Sequence, residues 1–191
     1  GCDQLQFNEY EGCNYLESES NPYFVLLKAI NENLSTYTIH EDTVIIAGGV
    51  FYGFGGLTSI TIPDNVISIG NEAFRNCSNL TNIVIPNSVT AIGKACFAKC
   101  IRLDYISLSG DLQFIGEKVF EGCVSITDIS IPSSVKTIGD SAFVNCVSLK
   151  KIVIPNSVTS IGKTCFARCY NLSSISLSSN LQFIGEKAFD R

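Results

Sequence analysis

Residues 57–79 read LTSITIPDNVISIGNEAFRNCSN, and the same layout returns every 23 residues to the end of the chain. Leu57, Leu80, Leu103, Ile126, Leu149 and Leu172 share one slot, and Phe74, Phe97, Phe120, Phe143, Phe166 and Phe189 share another. Ile69, Ile92, Ile115, Ile138, Ile161 and Ile184 fill a third, and each is followed by glycine. No insertion or deletion interrupts the step. A fixed period in the twenties, with apolar residues at constant slots, specifies a solenoid whose coils pack on their neighbours. Around Ile60 and Ile62 apolar and small polar residues alternate, the pattern of a half-buried strand. Pro63 ends that strand because it lacks an amide donor, and Asp64-Asn65 supply turn chemistry. A second apolar run, residues 66–69, ends at Gly70, a slot that suggests positive φ. The spacing of Ala73, Phe74 and Cys77 predicts one helical or 3₁₀ turn. The expected fold is a right-handed solenoid with a parallel β-sheet, short 3₁₀ or helical and irregular convex segments, and about seven 23-residue coils.

The repeat also sets the domain organisation. Residues 1–33 form an acidic N-terminal leader or cap that could include strands, and residues 34–56 a degenerate capping repeat. There Ala47 replaces the glycine and Phe54 the cysteine. Residues 57–191 carry six repeats, the last one cut short at Arg191, all in one continuous domain. One copy cannot bury enough surface to fold alone, so stability belongs to the stack. A longer period of 69 residues overlies the short one: IVIPNSVT recurs at Ile83 and Ile152, and LQFIGEK at Leu112 and Leu181. Residues 80–122 and 149–191 match closely at this offset of three coils, which suggests duplication of a three-coil block.

The IPxxVxxIGxxAFxxC copy resembles the BspA-like (Treponema-type) leucine-rich repeat of surface proteins in bacteria and some protists, over residues 34–191. Asn14-Tyr15-Leu16, Asn21-Pro22-Tyr23 and residues 25–28 are similar to a leader preceding such repeats in some members. The resemblance implies a leucine-rich-repeat solenoid, extracellular or at the cell surface, that serves adhesion and protein binding. It brings no catalytic residues. The asparagine slot of ordinary leucine-rich repeats is absent, so receptor-type ligand rules do not carry over.

The formal charge is −5, and residues 1–42 carry eight acids against Lys28 alone, leaving +2 for residues 43–191. The acidity belongs to the leader, and such a run is most simply a solvated face. No basic stripe points to nucleic acid, and no apolar run is long enough to span a membrane. Cys2 is a candidate lipid-anchor residue. Five of the nine cysteines, Cys77, Cys100, Cys123, Cys146 and Cys169, form one column at the repeat step. Cys96 and Cys165 sit where other coils have alanine or valine. All seven read as small core hydrophobes. Parallel Cβ vectors about 4.8 Å apart disfavour disulfides along the column. Cys96/Cys100 and Cys165/Cys169 have a CxxxC spacing, but the pairs lie three coils apart, roughly 14 Å, and cannot share one zinc. A bridge between Cys2 and Cys13 stays open.

His40, the one histidine, falls in the slot of Pro63, Pro86, Pro132 and Pro155, a surface turn where it is expected to be solvated. Serines lack a base nearby, and Gly48, Gly49, Gly53, Gly55 and Gly56 do not spell a nucleotide-binding loop. No enzyme activity, cofactor or metal is expected. Asn33, Asn76, Asn79 and Asn171 begin N-x-S/T triplets, acceptors only in a eukaryotic secretory route. The binding surface expected for such a stack is the concave strand face. Its outward residues are mostly small, and Tyr105 is the one aromatic among them. Tyr105, flanked by Asn82 and Asp128 with Lys151 one coil on, is the candidate anchor for a protein or surface-glycan ligand. The main expectation is a non-catalytic interaction module, a monomer with end-to-end association possible through its last coil. The alternative is an accessory substrate- or glycan-recognition module of a larger surface enzyme.

Overall fold

The computed structural model describes residues 7–190. Cys2 and Arg191 lie outside the described residues. Three strands, β1 (Phe7–Tyr10), β2 (Cys13–Ser18) and β3 (Asn21–Ala29), form an antiparallel leader. Each following coil contributes one three-residue and one two-residue strand. The longer strands are β4 (Thr36–Thr38), β6 (Ser59–Thr61), β8 (Asn82–Val84), β10 (Tyr105–Ser107), β12 (Asp128–Ser130), β14 (Lys151–Val153) and β16 (Ser174–Ser176). The shorter are β5 (Ile45–Ile46), β7 (Ser68–Ile69), β9 (Ala91–Ile92), β11 (Phe114–Ile115), β13 (Thr137–Ile138), β15 (Ser160–Ile161) and β17 (Phe183–Ile184). The stack therefore has seven coils and two strand faces. Strand β3 pairs in parallel with β5, Val25 opposite Ile45, so the leader occupies the sheet edge where the second face begins.

Equivalent side chains pile into columns. Phe51, Phe74, Phe97, Phe120, Phe143, Phe166 and Phe189 stack with centroids 5.2–5.8 Å apart and nearly parallel planes. Leu57, Leu80, Leu103, Ile126 and Leu149 are fully buried beside them. Cys77, Cys100, Cys123, Cys146 and Cys169 line the same core, and each thiol donates to a phenylalanine carbonyl 26 residues earlier, at 3.1–3.2 Å. The cysteines thus satisfy backbone acceptors as well as filling space. Cys13 is also fully buried.

The segment after each glycine is not helical. Among the described residues no helix occurs. The three-residue spacing seen in the sequence is that of successive turns. Arg75 N–H donates to Glu72 O and Cys77 N–H to Phe74 O. The amides between them, Glu72, Phe74 and Asn76, donate to Lys94, Cys96 and Ala98 of the next coil at 2.9 Å. Alternate amides therefore close turns or tie coils together. This geometry requires two left-handed residues per coil. One column runs through Gly49, Glu72, Ala95, Lys118, Ser141, Thr164 and Lys187, all with φ between 49° and 68°. The second runs through Gly53, Asn76, Lys99, Gly122, Asn145 and Arg168.

The repeated glycine after the isoleucine column is a different case. Gly70, Gly93, Gly139, Gly162 and Gly185 do not have positive φ; they sit against the preceding coil. A Cβ on Gly93 would lie 2.4 Å from Asn71 N, and one on Gly162 2.4 Å from Asp140 N. The slot is glycine because backbone meets backbone there. Ala47 is allowed in the first coil, where β3 rather than another coil lies before it, and its amide donates to Leu26 O at 2.9 Å. Gly116 is the exception among the later coils, with nothing nearer than 3.6 Å. There β9 and β11 belong to separate ladders.

Three consequences are measurable by denaturant unfolding. Phe120→Ala removes a fully buried ring and is expected to cost about 3–5 kcal/mol; a loss below about 1 kcal/mol would contradict the stacked core. Gly162→Ala is expected to destabilise by about 1–3 kcal/mol or more through backbone overlap, whereas Gly116→Ala stays within about 1 kcal/mol of the parent; equal effects would contradict the close-approach account. The third concerns alkaline pH. Burial pushes the Cys77 thiol up to about 12 and the Cys169 thiol to about 11, and raises Cys100, Cys123, Cys146 and Cys165 as well. Above pH 9 the unfolded thiols lose protons that the folded state keeps, so stability is intact below pH 9 and falls as pH rises. Cys100→Ala is expected to reduce the slope of stability against pH between 9.5 and 11 by up to about 1.4 kcal/mol per unit; an unchanged slope would contradict the burial.

Candidate functional site

The first face is built by alternation. In β8, β10, β12 and β14 the central Ile83, Ile106, Ile129 and Ile152 are buried, and the residues on either side point outward. Parallel pairing then fixes neighbours across the coils. Tyr105 lies opposite Asn82, and Asp128 lies opposite Lys151. The β4–β6, β8–β10 and β12–β14–β16 ladders are separate, so the face opens between β6 and β8 and again between β10 and β12.

The β10/β12 opening is a shallow groove lined by Tyr105, Ser107, Gly110, Asp128 and Ser130. The next groove along brings Asp128 and Ser130 together with Lys151 and Val153. The structure therefore gathers Tyr105, Asp128 and Lys151 over two adjoining grooves. Asn82 lines a different groove with Thr61 and Val84, on the other side of Tyr105. Tyr105 is 57% exposed. Asn82 Nδ2 donates to Thr81 Oγ1 and Thr127 Oγ1 to Asp128 Oδ2, both at 3.1 Å. Asp128 and Lys151 face each other across the register, both are exposed, and among the described residues neither joins an ion pair. An exposed ring beside an exposed carboxylate and an exposed ammonium can anchor a ligand by stacking and orient it by charge.

His40 departs from expectation. It is half-buried, not solvated: its ring stacks on Tyr23 with centroids 3.6 Å apart, and Tyr10 meets it edge-on at 4.8 Å. Asp42 N–H donates to its Nδ1 at 3.2 Å, and its own amide donates to Tyr15 Oη at 3.2 Å. The histidine pins the leader to the first coil. The slot comparison with proline missed this because the packing partners come from the leader, which the period does not reach. Asn79 and Asn171 are also engaged: each side-chain amide donates to the preceding coil, at Gly55 O (2.5 Å) and Val147 O (2.7 Å). Asn33 is exposed, and Asn76 occupies a left-handed position. Among the described residues no group of three or more His, Cys, Asp or Glu could hold a metal ion, and no helix is long and apolar enough to cross a membrane.

Phe114 and Phe183 were not anticipated on the surface. They project from the second face and are 57% and 54% exposed. The signal was present, since LQFIGEK has phenylalanine where the equivalent slot elsewhere holds serine, alanine or threonine and, in the first coil, Ile45.

The BspA type Leucine rich repeat region matches in six copies, over residues 30–149 and 96–191. The chain belongs to the BspA-type leucine-rich repeat family. The match spans both faces of the stack and the second half of the duplicated block. Among solved structures, a T. pallidum leucine-rich repeat protein aligns over 95% of this chain and 83% of its own, with 27% identity and a TM-score of 0.79. A leucine-rich repeat protein from Eubacterium ventriosum covers all of this chain with a TM-score of 0.85; at 23% identity it supports the fold alone. A leucine-rich cell surface protein from Faecalibacterium prausnitzii aligns over 91% of this chain, with 26% identity and a TM-score of 0.64. The chain spans 50% and 40% of the lengths of the last two. No curated protein matches it.

Proposed function

We propose that this chain is a non-catalytic, cell-surface or secreted interaction and adhesion module whose ligand face is the seven-strand first face. The observation that carries this reading is the exposed Tyr105 at the open β10/β12 junction, with Asp128 and Lys151 beside it in adjoining grooves. Buried aromatic anchors with oriented charge around them are the residues that dominate protein–protein affinity. The BspA-type family and the cell surface protein among the similar structures favour a surface location. The partner class is a protein, with Asn82 extending the footprint to the other side of the ring. The acting unit is a monomer, because β3 already occupies the second-face edge on which another copy would stack head to tail.

The expected outcome is binding to at least one of a panel of purified extracellular-matrix proteins by surface plasmon resonance. Tyr105→Ala should weaken that binding by tenfold or more, which corresponds to about 1.4 kcal/mol. Asp128→Asn and Lys151→Gln should act mainly on the association rate and its salt dependence. Binding unaffected by Tyr105→Ala would remove the anchor from the proposal, and a silent panel would count against the matrix-adhesion reading.

A further inference from the structure

The second face carries a feature that the Tyr105 site does not use. Its outward residues form a column in two stretches, β5 to β9 and β11 to β17, each in register across paired strands. Three members are large and apolar: Ile45, Phe114 and Phe183, at steps of 69 residues, or every third coil. Between them stand Ser68 and Ala91, then Thr137 and Ser160. The fold accepts small residues at this slot, so it does not require a phenylalanine there. Yet Phe114 and Phe183 keep more than half of their surface in water.

Both rings stand in the same local sequence, LQFIGEK, copied by the block duplication. They are therefore two equivalent platforms on one face, about 14 Å apart along the stack axis. Hydroxyl-bearing Thr137 and Ser160 pave the span between them. The column itself has no charged member. Beside it, the Glu117 carboxylate is already engaged by Lys94 at 2.9 Å and Lys118 at 3.6 Å.

The occupant is constrained by shape, charge and periodicity. Two rings offer at most about 500 Å², below the roughly 800 Å² per partner that a stable protein pair buries. A second copy or a folded protein is thus poorly matched to a ridge one side chain wide. Extended peptides are normally captured at a free sheet edge or in a groove, whereas the span between the rings, Thr137 on β13 and Ser160 on β15, belongs to strands paired on both sides. Identical sites repeated by translation match a polymer whose own units repeat. A ring face presents negative charge to C–H groups, and hydroxyls between the rings can pair with ligand hydroxyls. We infer that the second face is a binding site for a linear neutral polysaccharide, running along the stack axis and stacking sugar rings on Phe114 and Phe183. This site is independent of the Tyr105 reading.

Two equivalent contacts on one chain make the interaction bivalent, so losing either should forfeit much of the avidity. The test is affinity electrophoresis in gels containing hydroxyethyl cellulose or amylose. Phe114→Thr and Phe183→Thr are suitable because neighbouring Thr137 shows that the fold carries threonine in that slot. At least one polymer should retard the parent. Each single variant should bind at least tenfold more weakly, the double variant should run as in a plain gel, and Tyr105→Ala should be retarded like the parent. Thermal unfolding should be the same for all. A parent unretarded by either polymer, or a double variant retarded like the parent, would overturn the inference. So would self-association of the parent in sedimentation that the double variant abolishes, since the face would then join copies of this chain.

Discussion

Backbone-to-backbone approach at the glycine column is the constraint on which the rest depends. At Gly70, Gly93, Gly162 and Gly185 there is no room for a methyl group against the coil before. That contact holds successive coils at strand spacing. At this spacing phenylalanine rings can stack face to face, cysteine thiols can reach phenylalanine carbonyls, and alternate amides of the turn segment can bond to the next coil. Where the approach relaxes, at Gly116, the second-face ladder also breaks, between β9 and β11, and the Phe97–Phe120 centroid distance rises to 5.8 Å. The core columns and the hydrogen-bond ladders therefore respond together.

Most of the fold was legible because the period is a direct record of which residues share a column. Leu57 with Leu80, or Phe74 with Phe97, needed no structure to be paired. What the period does not carry is backbone conformation. Ala73, Phe74 and Cys77 have a spacing that both a helical turn and a run of successive turns satisfy, and the hydrogen bonds to the next coil decide for the latter. The left-handed columns were hidden because Glu72, Asn76, Lys99 and Arg168 are not glycine. Conversely, the visible glycines were attributed to φ when contact distance explains them. Of the candidate site, the outward placement of Asn82, Tyr105, Asp128 and Lys151 followed from alternation alone. The separation of β10 from β12, which opens the groove, did not, since strand pairing between coils leaves no mark on a single repeat.

The two faces owe their freedom to the same division of labour. Inward slots are fixed by stacking, so a change there is felt by the coils on both sides. Outward slots meet only solvent and their register neighbours. Thr137 and Phe114 are interchangeable as far as the core is concerned, as are Ser174 and Lys151. A similar fold at 27% identity with the T. pallidum protein is what this separation predicts. Function can then be written on either face without refolding the stack, and one duplication event copies a surface feature together with the coils that display it.

The stack is also directional, which limits how its ends can be used. The backbone bonds that tie the turn segments of successive coils run forward, from an amide in one coil to a carbonyl in the next: Thr164 to Glu186, Phe166 to Ala188, Arg168 to Asp190. The starting side of the stack therefore presents carbonyl acceptors along this segment, and the far side presents amide donors. Two far sides brought together would set donors against donors there, even though their strand edges could pair. At the starting side the leader resolves the mismatch differently. It does not imitate a coil but turns its β3 alongside β5, and it locks that placement with the His40–Tyr23 stack. Hydrogen-bond polarity thus gives the stacking one direction, and the leader contact fixes β3 beside β5, while the two broad faces stay open to partners of different chemistry.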